Sequence, residues 1–375
     1  MRKIGVEEEL MLVDPDTGRV TAVSAAALRA REDATERGEA GEDAPVDQEL
    51  FLQQIETATT PCLRAEELAA ELVRGRRAVG ESARAAGAAA VAVPTPVLPS
   101  DEPTITPKQR YRRIRDEYGE MTRQALVCGM HMHVDVSGEE EAVRVMDGIR
   151  PWLPVLLAMS GNSPYWEGRD TCFASWRSQV WGRWPSSGPA EPFGSADAYR
   201  STVGKMIEWG AAMDDGMLYL DARPSSSYPT VEIRVADVCT EVEDAVLIAI
   251  LARALVETAA SGPAPAEHWR SDLLRAATWR AARYGLSSTL VDPRTMELAP
   301  AREVFESLRA HTREALRESD DWDRTGESFE RLLAQGTGAA RQRAAHEVSG
   351  SVAGVVQDLV RRTEASWSPT ADVAG

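Results

Sequence analysis

Cysteine is scarce in this chain of 375 residues: Cys62, Cys128, Cys172 and Cys239 lie far apart and form no C-x-x-C pair. That suits free thiols in a reducing cytoplasm better than a disulfide framework. A basic excess is also missing. Lys and Arg number 42 against 59 Asp and Glu, for a net charge of −17. Bulk electrostatics therefore argue against a nucleic-acid or anionic-membrane partner. No long hydrophobic run is present; the most apolar stretch, Ala245 to Ala260, carries Arg253 and Glu257 and follows Asp244, so it reads as a buried helix. The N-terminus passes from Met1-Arg2-Lys3 straight into a strand, with no room for a signal peptide, and the expected location is cytoplasmic. Neither a G-x-x-x-x-G-K-S/T loop nor a G-x-G-x-x-G turn occurs, so any nucleotide phosphates must be held by metals and arginines. There is no internal repeat and no clean linker. One domain over 1–375 is expected, with a mobile acidic loop over 31–47 and a disordered tail over 368–375.

Histidine is rare too, with five in the chain, and two of them fall in Cys128-Gly129-Met130-His131-Met132-His133-Val134-Asp135-Val136. The period of two is that of a half-buried strand, with His131, His133 and Asp135 on one face and methionines and valines on the other. Ile4 to Val13 is β-compatible as well and puts Glu7 and Glu9 on one face. Glu8 then points the opposite way, an awkward fit unless it is paired or near an edge. Pro229 to Asp237 alternates again, placing Glu232 and Arg234 together. Leu50 to Ala58 reads as a further strand that carries Gln54 and Glu56. Faces of Glu, His and Arg differ from the usual Thr, Lys and Ser of a solvated sheet. Clustered carboxylates repel one another unless cations neutralise them, and a carboxylate-rich set suits Mg²⁺ or Mn²⁺. If these strands line one site, the Glu7 and Glu232 carboxylates must lie within about 12 Å of each other.

Between these strands the pattern is mainly helical: Glu66 to Ala89, Gln109 to Leu126, Glu139 to Ser160, Ala196 to Trp209, and nearly everything after Glu241. Val91 to Val93 and Leu218 to Leu220 read as short strands, and Arg19 to Val23 as a hairpin partner of the first strand. Trp166 to Pro192 fits no periodic template. Its Arg177 and Trp184 are candidates to hold a nucleotide or a substrate carboxylate by stacking and bidentate hydrogen bonds, although the tryptophans serve equally as an aromatic plug. Alternating polar and apolar strands require one sheet face open to a cavity. The expected fold is therefore α+β: a curved, mainly antiparallel sheet with the active site on its concave face and helices packed outside.

Gly5-Val6-Glu7-Glu8-Glu9-Leu10, Gln54-Ile55-Glu56, Cys128-Gly129-Met130-His131-Met132-His133 and Glu232-Ile233-Arg234, in this order, resemble the carboxylate–amine ligases of the glutamate–cysteine ligase type 2 family. Further matches are Ser160-Gly161-Asn162-Ser163-Pro164, Trp166-Glu167-Gly168-Arg169-Asp170-Thr171, Trp184-Pro185, Asp221-Ala222-Arg223-Pro224-Ser225 and Arg280 to Gly285. The resemblance runs from about residue 3 to about residue 362. It implies a glutamine synthetase-like catalytic fold and an ATP-dependent ligase that forms an amide, of γ-glutamyl type for instance, through an acyl phosphate, releasing ADP and phosphate. It also implies Glu7, His131 and Glu232 on one Mg²⁺ or Mn²⁺ and Glu9 and Glu56 on another. His133 would face a phosphate or a substrate carboxylate, and Arg223 and Arg234 the phosphoryl oxygens. Its partners would be small carboxylates and amines, with homo-oligomerisation open. Two alternatives stand beside it: a zinc-dependent amidohydrolase-like hydrolase built on His131 and His133, and a non-catalytic nucleotide-binding relative.

Overall fold

In the first strand, apolar side chains alternate with acids, and that alternation decides which way the main sheet faces. The computed structural model describes residues 1–38, 44–262 and 269–368. Strands β1 (Ile4–Val13), β2 (Val46–Asp47), β3 (Gln54–Ala58), β4 (Ala89–Val91), β5 (Gly129–Asp135), β8 (Ala222–Pro224) and β9 (Thr230–Asp237) form one sheet. Its order is β2-β3-β1-β5-β9-β8, with β4 also on β1, and every pairing is antiparallel. β6 (Tyr165–Trp166) with β7 (Arg169–Asp170), and β10 (Thr289–Val291) with β11 (Leu298–Pro300), make two small separate sheets. The fold is α+β with a mainly antiparallel open sheet, as expected.

Ile4, Val6, Leu10 and Leu12 of β1, Met130, Met132 and Val134 of β5, and Val231 and Ile233 of β9 are all at most 1% exposed. Behind β1 and β5 packs the helix Val242–Ser261, apolar on nearly every side and sheathed in turn by other helices. A helix without a polar stripe must be buried in this way. Glu8 does point into this core. Its carboxylate takes two hydrogen bonds from Arg76, at 2.8 and 2.6 Å, and the same guanidinium donates to the carbonyls of Cys239 and Thr240. Both side chains are fully buried. The pair ties β1 to the helix Ala65–Ala85 and to the chain entering the central helix.

Several element boundaries differ from the sequence reading. The strand ending at Ala58 starts only at Gln54. Residues 89–91, rather than 91–93, pair with β1. Leu218 to Leu220 is not a strand; one bridge joins Leu220 to Gly188, and the neighbouring Ala222–Pro224 pairs with β9 instead. Val20 meets Val13 in a single bridge before the chain turns into the helix Ser24–Glu36. That helix and β2 occupy much of the segment read as a loop over 31–47; residues 39–43 of it, and 369–375 of the expected tail, lie outside the described residues. Gly119, at φ 51°, splits the helix expected from Gln109 to Leu126 into Gln109–Tyr118 and Glu120–Arg123. A left-handed residue cannot continue a right-handed helix.

Candidate active site

Strand pairing sets the acids and imidazoles side by side on the face opposite the helical core. Glu9 is in register with Glu56, Glu7 with His131, His133 with Glu232, and Glu232 with Arg223. Side chains directly opposite in an antiparallel sheet are about 5 Å apart at Cβ, close enough to share a ligand. The Glu7, His133 and Glu232 ligand atoms lie within 4.8 Å of one another, well inside the separation the sequence reading required. His131 Nδ1 is 3.5 Å from Glu7 Oε2 and 3.9 Å from Glu232 Oε1, so both imidazoles flank the same pair of carboxylates. His133 Nε2 sits 3.3 Å from Glu7 Oε1, while its Nδ1 is 3.0 Å from the Thr230 hydroxyl.

Two arginines close one end of this row. Arg223 Nε donates to Glu232 Oε2 at 2.7 Å, and its outer nitrogen donates to the carbonyls of Asp215, Gly216 and Leu218. Arg234 donates to the other Glu232 oxygen, lies over the Tyr219 ring, and has a buried Nε with no acceptor. β9 carries a bulge just beyond this pair. Met130 is opposite Ala236 and Met132 opposite Ile233, so Arg234 and Val235 together face His131. The extra residue shifts the phase of the strand. Asp237, like Glu232, then comes to the polar face, in register with Gly129.

The electrostatics divide the face in two. At one end, burial raises the Glu232 carboxyl, but Arg234 and Arg223 outweigh it and bring it down to about 2. Glu7 is buried as well, and its contacts with His131 and His133 hold it below the carboxylate range. Burial, reinforced by Arg234, drives His131 down to about 4, so its imidazole is neutral at pH 7 and free to act as a ligand. At the other end, burial and the Glu49 charge push Glu9 up to about 8, although Gly129 donates its N–H to Glu9 Oε2 at 2.6 Å. Glu56 is raised as well, by burial and then by Glu49, Glu7 and Glu9. Glu9 and Glu56 thus need either protons or a cation between them. A set of carboxylates with one or two imidazoles fits Mg²⁺ or Mn²⁺.

The sequence reading did not single out Glu49, Arg110, Tyr111 or the segment Ser225–Tyr228, which complete the walls of this cavity of about 220 Å³. Glu49 lies in the acidic stretch, where no periodicity marks it, and Arg110 and Tyr111 open a helix whose docking onto the sheet is a tertiary event. Arg177 and Trp184 do not line this cavity. They line a neighbouring one that shares only Trp181, Tyr219 and Arg234 with it. Trp184 is 3% exposed and packs with Tyr118, Trp181 and Tyr219. Arg177 lies flat over Gly129, where a Cβ would approach its guanidinium to 2.2 Å. Of the remaining histidines, His311 stacks on Trp152 at the end of a helix and His346 sits within another, so neither adds a third imidazole to the site; His268 is outside the described residues.

The profile of glutamate–cysteine ligase family 2 matches residues 3–361. A protein of Nocardioides sp. provisionally named glutamate–cysteine ligase 2-1 is 49% identical over 381 residues, covering 100% of this chain and 99% of its own. A Streptomyces coelicolor protein provisionally named glutamate–cysteine ligase 2 is 48% identical, covering 98% and 100%. Among solved structures, a Francisella tularensis glutamate–cysteine ligase in complex with AMP superposes with a TM-score of 0.70 at 13% identity, covering 98% of this chain and 89% of that one. A bifunctional glutathione synthetase from Pasteurella multocida gives 0.68 at 15% identity, covering 98% and 52%. At such identities the structures speak for the fold; the sequence matches speak for the family. The chain belongs to the glutamate–cysteine ligase family 2 and is an enzyme of the ligase type.

Proposed function

We propose that this chain is an ATP-dependent carboxylate–amine ligase that activates its acid as an acyl phosphate and releases ADP and phosphate. The observation that carries the reading is the row Glu56–Glu9, Glu7–His131 and His133–Glu232–Arg223 on one sheet face, closed by Arg234 and accompanied by no glycine-rich phosphate cradle. Glu7, His131 and Glu232 would hold one divalent cation, with His133 near enough to join them or to meet a phosphate; Glu9 and Glu56 would hold a second. Bound there, such ions neutralise charge on the β- and γ-phosphoryl oxygens.

The protein's own groups do the rest. Arg223 and Arg234 present guanidinium donors where negative charge builds on the transferred phosphoryl group, and the Glu232 carboxylate fixes both of them in place. Phosphorylation is needed because a carboxylate is a poor electrophile with a poor leaving group. The amine then attacks the acyl carbon, and phosphate departs with the former carboxylate oxygen. The AMP named with the Francisella ligase supports a nucleotide on this fold. The main apolar core, which reaches from Ile4 to Leu359, supports the chain acting as one catalytic unit.

Incubation with ATP, Mg²⁺, amines and carboxylates labelled with heavy oxygen tests the route. The label is expected in inorganic phosphate, alongside ADP. Label in AMP, with pyrophosphate released, would replace the reading with an adenylating one.

A further inference from the structure

Ser160-Gly161-Asn162-Ser163-Pro164 lines neither cavity, although Ser160, Asn162 and Ser163 are at most 1% exposed. What these residues surround is Asp237, the last residue of β9, itself 0% exposed. Its Oδ2 accepts from Asn162 N at 2.9 Å and from the Ser163 hydroxyl at 2.7 Å, and its Oδ1 from the Ser175 hydroxyl at 2.8 Å. Both hydroxyls pass the contact on. Ser163 Oγ accepts from Arg177 N at 3.0 Å, and Ser175 Oγ from Ser178 N at 3.3 Å. Those two N–H groups open the short helix Arg177–Trp181, whose N-cap residue Trp176 supplies no side-chain cap. The far side of the cluster is anchored as well. Asn162 Nδ2 donates to the carbonyls of Ala92 and Val238, and Gln342 Nε2 donates to the Asn162 carbonyl at 2.6 Å.

Burying a carboxylate is costly, and apolar side chains would fill the same space with less penalty. What a carboxylate alone supplies is acceptors on both oxygens and no donor. Here that capacity joins the strand carrying Glu232 and Arg234 to the first turn of the helix carrying Arg177 and Trp181. A helix start leaves N–H groups without intrahelical partners, and negative charge close by favours it. Arg177 lies over Gly129, the residue that Asp237 faces across the ladder. Trp181 stands in the wall common to both cavities, against Tyr219. We infer that Asp237 is a positioning residue for the ligase site: through Ser163 and Ser175 it fixes the helix start, and so holds Arg177 over Gly129 and Trp181 in the shared wall. Its effect on turnover rests on the ligase reading above; the seating of the two side chains does not.

Fluorine NMR of the full chain grown with 5-fluorotryptophan, its Trp181 resonance assigned through Trp181→Phe, reads the seating. ADP release from Mg²⁺-ATP with a mixture of the twenty standard L-amino acids reads its consequence. Asp237→Asn keeps the volume but puts an amide donor where one acceptor stood. It should move or broaden the Trp181 resonance while those of Trp152, stacked on His311, and Trp367, under Arg84, stay in place. Turnover should fall at least about tenfold, since small misplacements near reacting groups cost that much or more. Gly129→Ala, whose methyl would meet the Arg177 guanidinium at 2.2 Å, disturbs the same seat without touching Asp237 and should lower turnover by a similar factor. If Asp237→Asn does not fold, Ser175→Ala, which removes one donor and keeps the charge, carries both readouts with the same expectations. An unmoved Trp181 resonance in the folded variant overturns the assignment, as does turnover within about twofold of wild type in either Asp237→Asn or Gly129→Ala. Absence of ADP release from the wild-type chain would instead refute the ligase reading, and the fluorine spectra would still decide the seating.

Discussion

Glu9 on β1 and Glu232 on β9 share one face of the sheet, yet their environments drive them in opposite directions, and the contrast has a measurable consequence. Glu9 rises from 4.5 to about 8 in the folded chain, so the unfolded chain releases that proton first. Its contribution to stability is complete below about pH 4.5, declines as pH climbs, and changes no further above about 8. Glu232, brought down to about 2, does the reverse: it stabilises above about pH 4.5 and loses that as pH falls toward 2. The melting temperature of cation-free protein is therefore expected to drop between about pH 5 and about pH 8. Glu9→Gln should flatten that drop and Mn²⁺ should reverse it in the wild type. A slope unchanged by the substitution would show that Glu9 is not the strained group. Glu7, Glu9, His131, His133, Glu232 and Arg234 were legible in the sequence because a period of two needs no tertiary information. Glu49 and Arg110 were not, since only the packing of a loop and a helix brings them to the face. Arg177, a candidate for nucleotide or substrate binding in the sequence, lies over Gly129 beside a neighbouring cavity, a placement no sequence pattern of a loop arginine announces.

At the scale of elements, a few contacts fix where the strands stand relative to the helices. The Glu8–Arg76 pair is the clearest, with both side chains at 0% exposure. Removing one member of such a pair leaves a buried charge uncompensated, so Glu8→Ala should cost about 3–5 kcal/mol in urea denaturation. The residual folded protein should still bind metal, because Glu8 faces away from Glu7 and Glu9. A cost under about 1 kcal/mol would mean that water reaches Arg76. That Glu8 needed a partner was readable from its place in the alternation; that the partner is Arg76 was not, since the helix heptad does not announce an inward arginine. Helices were easier to read than short strands. Three-residue strands such as Ala222–Pro224 carry too few residues to display a period, and the β9 bulge adds one residue that no alternation rule anticipates.

For the molecule as a whole, the antiparallel sheet with one polar face followed from alternation in three long strands, and helices behind it followed from the apolar run at Val242–Ser261. The net charge of −17 says little about the site, where acids are balanced locally by imidazoles and arginines. What the account stands on is that this balance is incomplete at Glu9 and Glu56 without a cation. Crystals grown with Mn²⁺ and ADP, with anomalous scattering recorded at the manganese edge, examine this most directly. The account predicts one peak bound by Glu7 and Glu232 with an imidazole, and a second between Glu9 and Glu56, each with oxygen ligands at about 2.0–2.6 Å. Manganese found only elsewhere, or none on this face with ADP bound, would contradict it.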